Sequence, residues 1–107
     1  MNRAKKVFRV GFNGRRFVIK NYILCDNLFS RARGLMFRRG NFNKPLVFTW
    51  RKNVKLSIHS FFVGFPFAAI WLKNGKIVGK KLVRPWTFAV TPKEKFDTLI
   101  EIPLKKV

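Results

Sequence analysis

Along most of this chain apolar residues alternate with polar ones at every second position, the period of half-buried strands rather than of helices. The runs VFRV (7–10) and FVIKNYIL (17–24) are joined through Asn13 and Gly14, a pair that tolerates the positive φ of a two-residue hairpin turn. AAIWLKNGKIVGKKLV (68–83) repeats the device around Asn74 and Gly75. PLVFTW (45–50), VKLSIHSFFV (54–63) and DTLIEIP (97–103) read as further strands, rich in β-branched and aromatic residues. Pro66 fits the start of a strand or an edge, where a missing N–H is tolerated. Only Asp26 to Met36 suits a helix, with Asp26 or Asn27 as N-cap and Gly34 near the end. The expected fold is mainly β, a small closed barrel or sandwich of antiparallel hairpins with one short helix.

Composition supports folding. Hydrophobic residues make up 48% of the 107, with thirteen Phe and three Trp, too apolar for disorder despite the charge. No stretch reads as a linker or repeat, so residues 1–107 are expected to form one domain. The uncharged run from Phe61 to Leu72 is twelve residues long and contains Gly64 and Pro66. A membrane-spanning helix needs about 20 apolar residues, so no transmembrane segment is expected. The opening residues MNRAKKVFRV lack the apolar stretch of a secretion signal, which points to a cytoplasmic protein. The single Cys25 cannot form an internal disulfide and is expected to be buried as a small hydrophobe.

Several motifs carry a resemblance. Arg33, Gly34, Leu35, Met36, Phe37 and Arg38, after the short helix, resemble the signature of the uncharacterised family known as domain of unknown function 192. His59 to Val63 with Phe65, Pro66 and Phe67 is similar to its archaeal members. Asn74 to Val78 matches the turn that follows, and Leu99, Ile100, Glu101 and Ile102 resemble the closing strand. Ala68 stands where the family usually has Asp, so any contact of that Asp is absent here. The resemblance implies a compact, mainly β structure and no particular activity.

Catalytic chemistry finds little to work with. Asp26, Glu94, Asp97 and Glu101 are the only acids; a helix cap for Asp26 and local charge balance for the others are the expected roles. His59 is the only histidine, and Ser60, its strand neighbour, would point to the opposite face. One His, one Cys and few acids fall short of a metal site, and no glycine pattern suits a phosphate loop. No catalytic residue, metal or cofactor is expected.

Charge is what remains. Twenty-four Lys and Arg against four acids give a formal charge of +20. Residues 1–52 contribute +13 and residues 53–107 +7, so the excess is no detachable tail. A non-enzymatic module for nucleic acid or another polyanion is the leading expectation, with cations on phosphates and aromatic rings on unpaired bases. The candidate residues are Arg15, Arg16, Arg33, Arg38, Arg39, Arg51, Lys52, Lys80, Lys81, Arg84 and Trp86. The pairs Lys5 with Lys6 and Lys105 with Lys106 add charge near the two ends. For Trp86 the first expectation is a ring covering one end of the core beside Phe88, with a base-stacking platform second. The alternative for the whole protein is an interaction protein with a small-molecule or acidic protein partner, its charge a surface coating. Attachment to anionic lipid would use the same charge without stacking.

Overall fold

The computed structural model describes residues 7–12, 14–38 and 42–104. Asn13 of the first hairpin, Arg39, and the Lys5–Lys6 and Lys105–Lys106 pairs lie outside the described residues.

One central strand explains the apolar middle of the chain. β5 (Phe67–Lys73) pairs antiparallel with β6 (Lys76–Val83) on one side and with β7 (Phe96–Pro103) on the other. β5 is flanked on both sides and packed on both faces, which is why FAAIWL reads as a continuous apolar run rather than an alternation. The other strands are β1 (Val7–Phe12), β2 (Arg15–Lys20), β3 (Ile23–Cys25) and β4 (Leu46–Val54). Together they form a seven-stranded mixed sheet in the order β2-β1-β6-β5-β7-β4-β3, curved into a half-barrel.

The expected mainly β character holds, but the sheet is neither closed nor wholly antiparallel. β1 meets β6 in parallel through a single register pair, Gly11 with Lys76, and β3 runs parallel to β4. β2 and β3 are the two edges and do not pair, so the barrel stays open. A parallel pair needs a long crossover, and here the chain between Cys25 and Leu46 supplies it, including α1 (Leu28–Arg33). Hairpin periodicity carries no trace of such a crossover. The edge β2 is mostly exposed and carries Arg15, Arg16 and Lys20, charges that discourage edge-to-edge pairing.

Both Asn–Gly turns join the strands that flank them. The register pairs Phe12 with Arg15 across the first, and Asn74 and Gly75 both take positive φ (52° and 78°) in the second. The segment 54–63, in contrast, is not a strand beyond Val54. Beyond Val54 its one β-bridge among the described residues joins Ile58 to Val90, outside the named strands, and Phe62 has φ 59°, incompatible with extension. Aromatic and β-branched content suggested a strand, but here that composition lines a loop.

The concave face of the half-barrel holds the larger core. Phe48 of β4, Phe67, Ala69 and Trp71 of β5, Val83 of β6, and Phe96 and Leu99 of β7 pack there with Val63, Phe65 and Leu35. On the convex face Val10, Val47, Leu72 and Ile100 form a second cluster against Ile19 and Ile77. Cys25 is buried. Leu72 is fully buried whereas Ile70 is only half-buried, so Leu72→Ala should cost about 2–5 kcal/mol and Ile70→Ala clearly less. Urea denaturation of the two variants measures the order. Among the described residues no helix is long and apolar enough to cross a membrane.

Candidate ligand cavity and its aromatic rim

A short helix and the turn after it roof part of the concave face. Asn27 starts α1 with a capping box: its Oδ1 accepts from the Ser30 N–H (2.8 Å) and Ser30 Oγ accepts from the Asn27 N–H (3.3 Å). The helix stops at Gly34, whose φ of 48° and ψ of −125° suit a residue without Cβ. Gly34 sits directly on the sheet: a Cβ there would lie 3.3 Å from the Phe48 ring and 3.7 Å from Glu101 Oε1. Arg31 ties the helix down, its Nε and Nη2 donating to the Thr49 carbonyl (3.0 and 2.6 Å) and Nη2 also to the Asp26 carbonyl (2.9 Å). Its guanidinium lies 5.4 Å from the Trp50 ring centre.

Beneath this roof lies a cavity of about 350 Å³. Phe48, Trp50, Phe67 and Phe96 give it aromatic walls, and Leu35, Met36, Leu56, Ile58, Val63 and Leu99 add aliphatic lining. The polar groups are few: Arg31, Arg33, Ser57, His59 and Glu101.

Glu101 is the one that sequence reasoning missed. It lies on β7, its neighbours across the sheet are Leu46 of β4 and Ala69 of β5, and it shares the inward face with Leu99. It is 6% exposed, and among the described residues nothing hydrogen-bonds its carboxyl group. Local charge balance, the expected role, is therefore wrong for this residue, because Leu99, Ile100 and Glu101 are buried together on both faces of a central strand. The usable signal was an acid within an apolar strand motif. Burial pushes its carboxyl up to about 8, so it is largely neutral at neutral pH. Burial, reinforced by the nearby Glu101, also pushes the Cys25 thiol up to about 11. Arg38 is pushed down by burial and by Arg33 beside it; its Nε donates to the Gly34 carbonyl (3.0 Å) and its guanidinium covers Phe42 at 4.4 Å.

Aromatic residues crowd one side of the roof. The Phe37 N–H donates to the Phe62 carbonyl (2.9 Å), and the two rings stack with centres 4.9 Å apart. Phe62 meets Trp86 edge-on at 5.0 Å, Trp86 lies 6.2 Å from Phe61, and Phe61 meets Phe88 edge-on at 5.2 Å. The cluster is largely in water: Phe37 is 69% exposed, Trp86 55%, Phe88 82%. Trp86 therefore caps no core, contrary to the first expectation; its backbone is turned outward at φ 61°. Phe37 and Phe62 share that left-handed conformation (62° and 59°), uncommon for bulky residues.

Buried Ser60 fastens this cluster together. Its Oγ accepts from the Thr87 N–H (2.6 Å) and donates to the Arg84 carbonyl, while its own carbonyl accepts from the Trp86 N–H (2.9 Å). His59 is exposed and joins the two features, lining the cavity and lying 5.0 Å from the Phe61 ring. Its Nδ1 accepts from the Phe61 N–H (3.2 Å).

The structure gathers some of the charged candidates and separates others. Arg33, Arg38, Arg84 and Trp86 lie on the three joined segments 33–38, 59–63 and 84–88. Arg15 and Arg16 are on edge strand β2, and Arg51 and Lys52 are exposed on β4. Neighbours in a strand point to opposite faces, so Lys80, opposite Ile70, and Lys81, opposite Ala69, do not share one.

This arrangement can be set beside known proteins. The sequence model of DUF192, described as an uncharacterized ACR, matches residues 13–107. The chain belongs to this family. DUF192 relatives include the UPF0127 protein PF1050 of Pyrococcus furiosus, 30% identical over 80 residues (74% of this chain, 68% of the relative). The UPF0127 protein PH1112 of Pyrococcus horikoshii is 28% identical over 81 residues, 75% of this chain and 70% of that protein. The fold resembles a crystal structure from Sinorhizobium meliloti 1021, described as a candidate transcription regulator, with TM-score 0.78 and 16% identity over 92% of this chain and 79% of that one. A protein of unknown function from Novosphingobium aromaticivorans gives 0.76 at 16% identity, over 92% and 73% of the respective chains. At that identity the likeness concerns the DUF192 fold alone. Within the matched region, Arg33 to Met36 line the cavity on one side and Glu101 of β7 lines it on another.

Proposed function

We propose that this DUF192 protein is a non-enzymatic binding module for a polyanion, and that single-stranded nucleic acid is the form its aromatic rim fits. The observation that carries the reading is the exposed cluster Phe37, Phe62, Trp86, Phe61 and Phe88, set between Arg84 and Arg38 in a chain of charge +20. Unpaired bases stack on such rings regardless of sequence, at about 1–3 kcal/mol per base, and cations hold the phosphates between them. Soluble proteins rarely leave large contiguous apolar patches bare without a partner. Three left-handed aromatic residues in one patch add backbone strain that packing alone does not require. Arg33, Arg38, Arg84 and Trp86 are the contact residues of this reading; Arg15, Arg16, Arg51, Lys52, Lys80 and Lys81 supply long-range attraction.

The test is a short oligonucleotide titrated at several salt concentrations. With four to six phosphates neutralised, log Kd should change with log salt with a slope of roughly 3–4 in magnitude. Reversing Arg33 and Arg84 to Glu should weaken binding near physiological salt by at least about tenfold, whereas reversing Arg15 and Arg16, an equal change in charge, should do much less. Trp86→Asn, which keeps a residue tolerant of left-handed φ, should also cost about tenfold. Equal losses from both reversals would reduce the attraction to nonspecific charge. An acidic protein or small-molecule partner, with the charge as coating, would then be the better reading.

A further inference from the structure

The cavity over Glu101 shares Arg33 with the polyanion-binding rim described above, but its apolar walls and Glu101 are not used there, and they support an inference of their own. Glu101 is nine-tenths buried, its Oε1 faces the floor beside Gly34, and among the described residues nothing hydrogen-bonds it. Its carboxyl group borders the cavity, so its hydrogen-bonding capacity is open to whatever the cavity holds. At about 350 Å³ the cavity is near the lower end of ligand pockets, roughly 300–1,000 Å³, so its occupant is small.

The chemistry of the lining narrows the class. Arg31 and Arg33 line the same cavity in a chain of charge +20, which disfavours an organic cation. Burial keeps the carboxyl group largely protonated at neutral pH, and in that state it presents an O–H donor and a carbonyl acceptor in one plane. The complement of such an edge is an acceptor and an N–H donor side by side, as in a cyclic amide. Phe48, Trp50, Phe67 and Phe96 offer flat apolar contact to the rest of a ring. We propose that the cavity seats a small neutral nitrogen heterocycle whose cyclic-amide edge pairs with the Glu101 carboxyl group.

Titration of the full chain by NMR with 2-pyridone, uracil and hypoxanthine, with N-methyl-2-pyridone and benzamidine as controls, tests this. At least one cyclic amide should bind with submillimolar Kd. N-methylation, which removes the donor, and the cationic amidine should each weaken binding at least about tenfold, about 1.4 kcal/mol. Glu101→Leu should do the same, and Glu101→Gln, whose amide offers a similar edge, should stay within about threefold of the parent. Should Glu101→Leu fail to fold, the N-methyl comparison on the parent chain decides alone. Failure of every cyclic amide to bind, equal affinity for the N-methyl analogue, or preference for benzamidine would each overturn the proposal. None of these probes carries a phosphate, so the outcome is independent of polyanion binding.

Discussion

Stability should fall as pH rises from about 4.5 to about 8, and Glu101→Gln should remove most of that fall. The carboxyl group titrates near 4.5 in an unfolded chain and at about 8 once buried, so between those values the folded state holds a proton that the unfolded state has lost. A folded state that binds more protons loses stability as pH increases, by about 1.4 kcal/mol per unit for one group. The contribution is fully present below 4.5 and gone above 8, an upper limit of about 5 kcal/mol across the window. Cys25, also raised, acts the same way but only between 9 and 11, outside this range. Arg38, although pushed down by burial, stays charged throughout. Thermal melts of both proteins at pH 5, 6.5 and 8 should converge at low pH in slope and separate toward pH 8, where the Gln variant melts higher relative to its own acid value. Parallel curves would show that Glu101 is not buried as an acid.

Gly34→Ala should be nearly as severe, lowering stability by about 2–4 kcal/mol. The backbone there has φ 48° and ψ −125°, a region that costs any residue with a Cβ roughly 1–3 kcal/mol. The added carbon would also press against Phe48 at 3.3 Å, so that the ring would have to give way toward the cavity it lines. Arg31 anchors the preceding helix to the Thr49 carbonyl, so the turn cannot simply lift away. Chemical denaturation measures the loss. A change below about 0.5 kcal/mol would mean that the roof is not seated on the sheet.

Much of this fold was legible because its signals are local. Asn74–Gly75 and the alternation around it fix a hairpin through backbone φ alone, and the family resemblance seen in short motifs agrees with a family match over residues 13–107. The open edges, the parallel β3–β4 pair and the looped 55–66 segment depend on contacts far apart in sequence, which periodicity does not encode. The same division runs through the candidate site. Trp86, Arg84, Arg33 and Arg38 could be singled out by type, but their meeting with Phe37 and Phe62 rests on Ser60 joining two loops and on the Phe37 N–H reaching the Phe62 carbonyl. Glu101 stayed hidden because a buried acid and a surface acid look alike in a strand until the neighbouring strands are placed.

Polyanion binding at the aromatic rim is most directly tested by mapping backbone amide shifts of the full chain on addition of a short single-stranded oligonucleotide at near-physiological salt. The rim predicts shifts concentrated in residues 33–38, 59–63 and 84–88, with the edge strand β2 and the Lys80–Lys81 region little changed. Shifts spread evenly over the basic surface, or confined to β2 and β6, would contradict it.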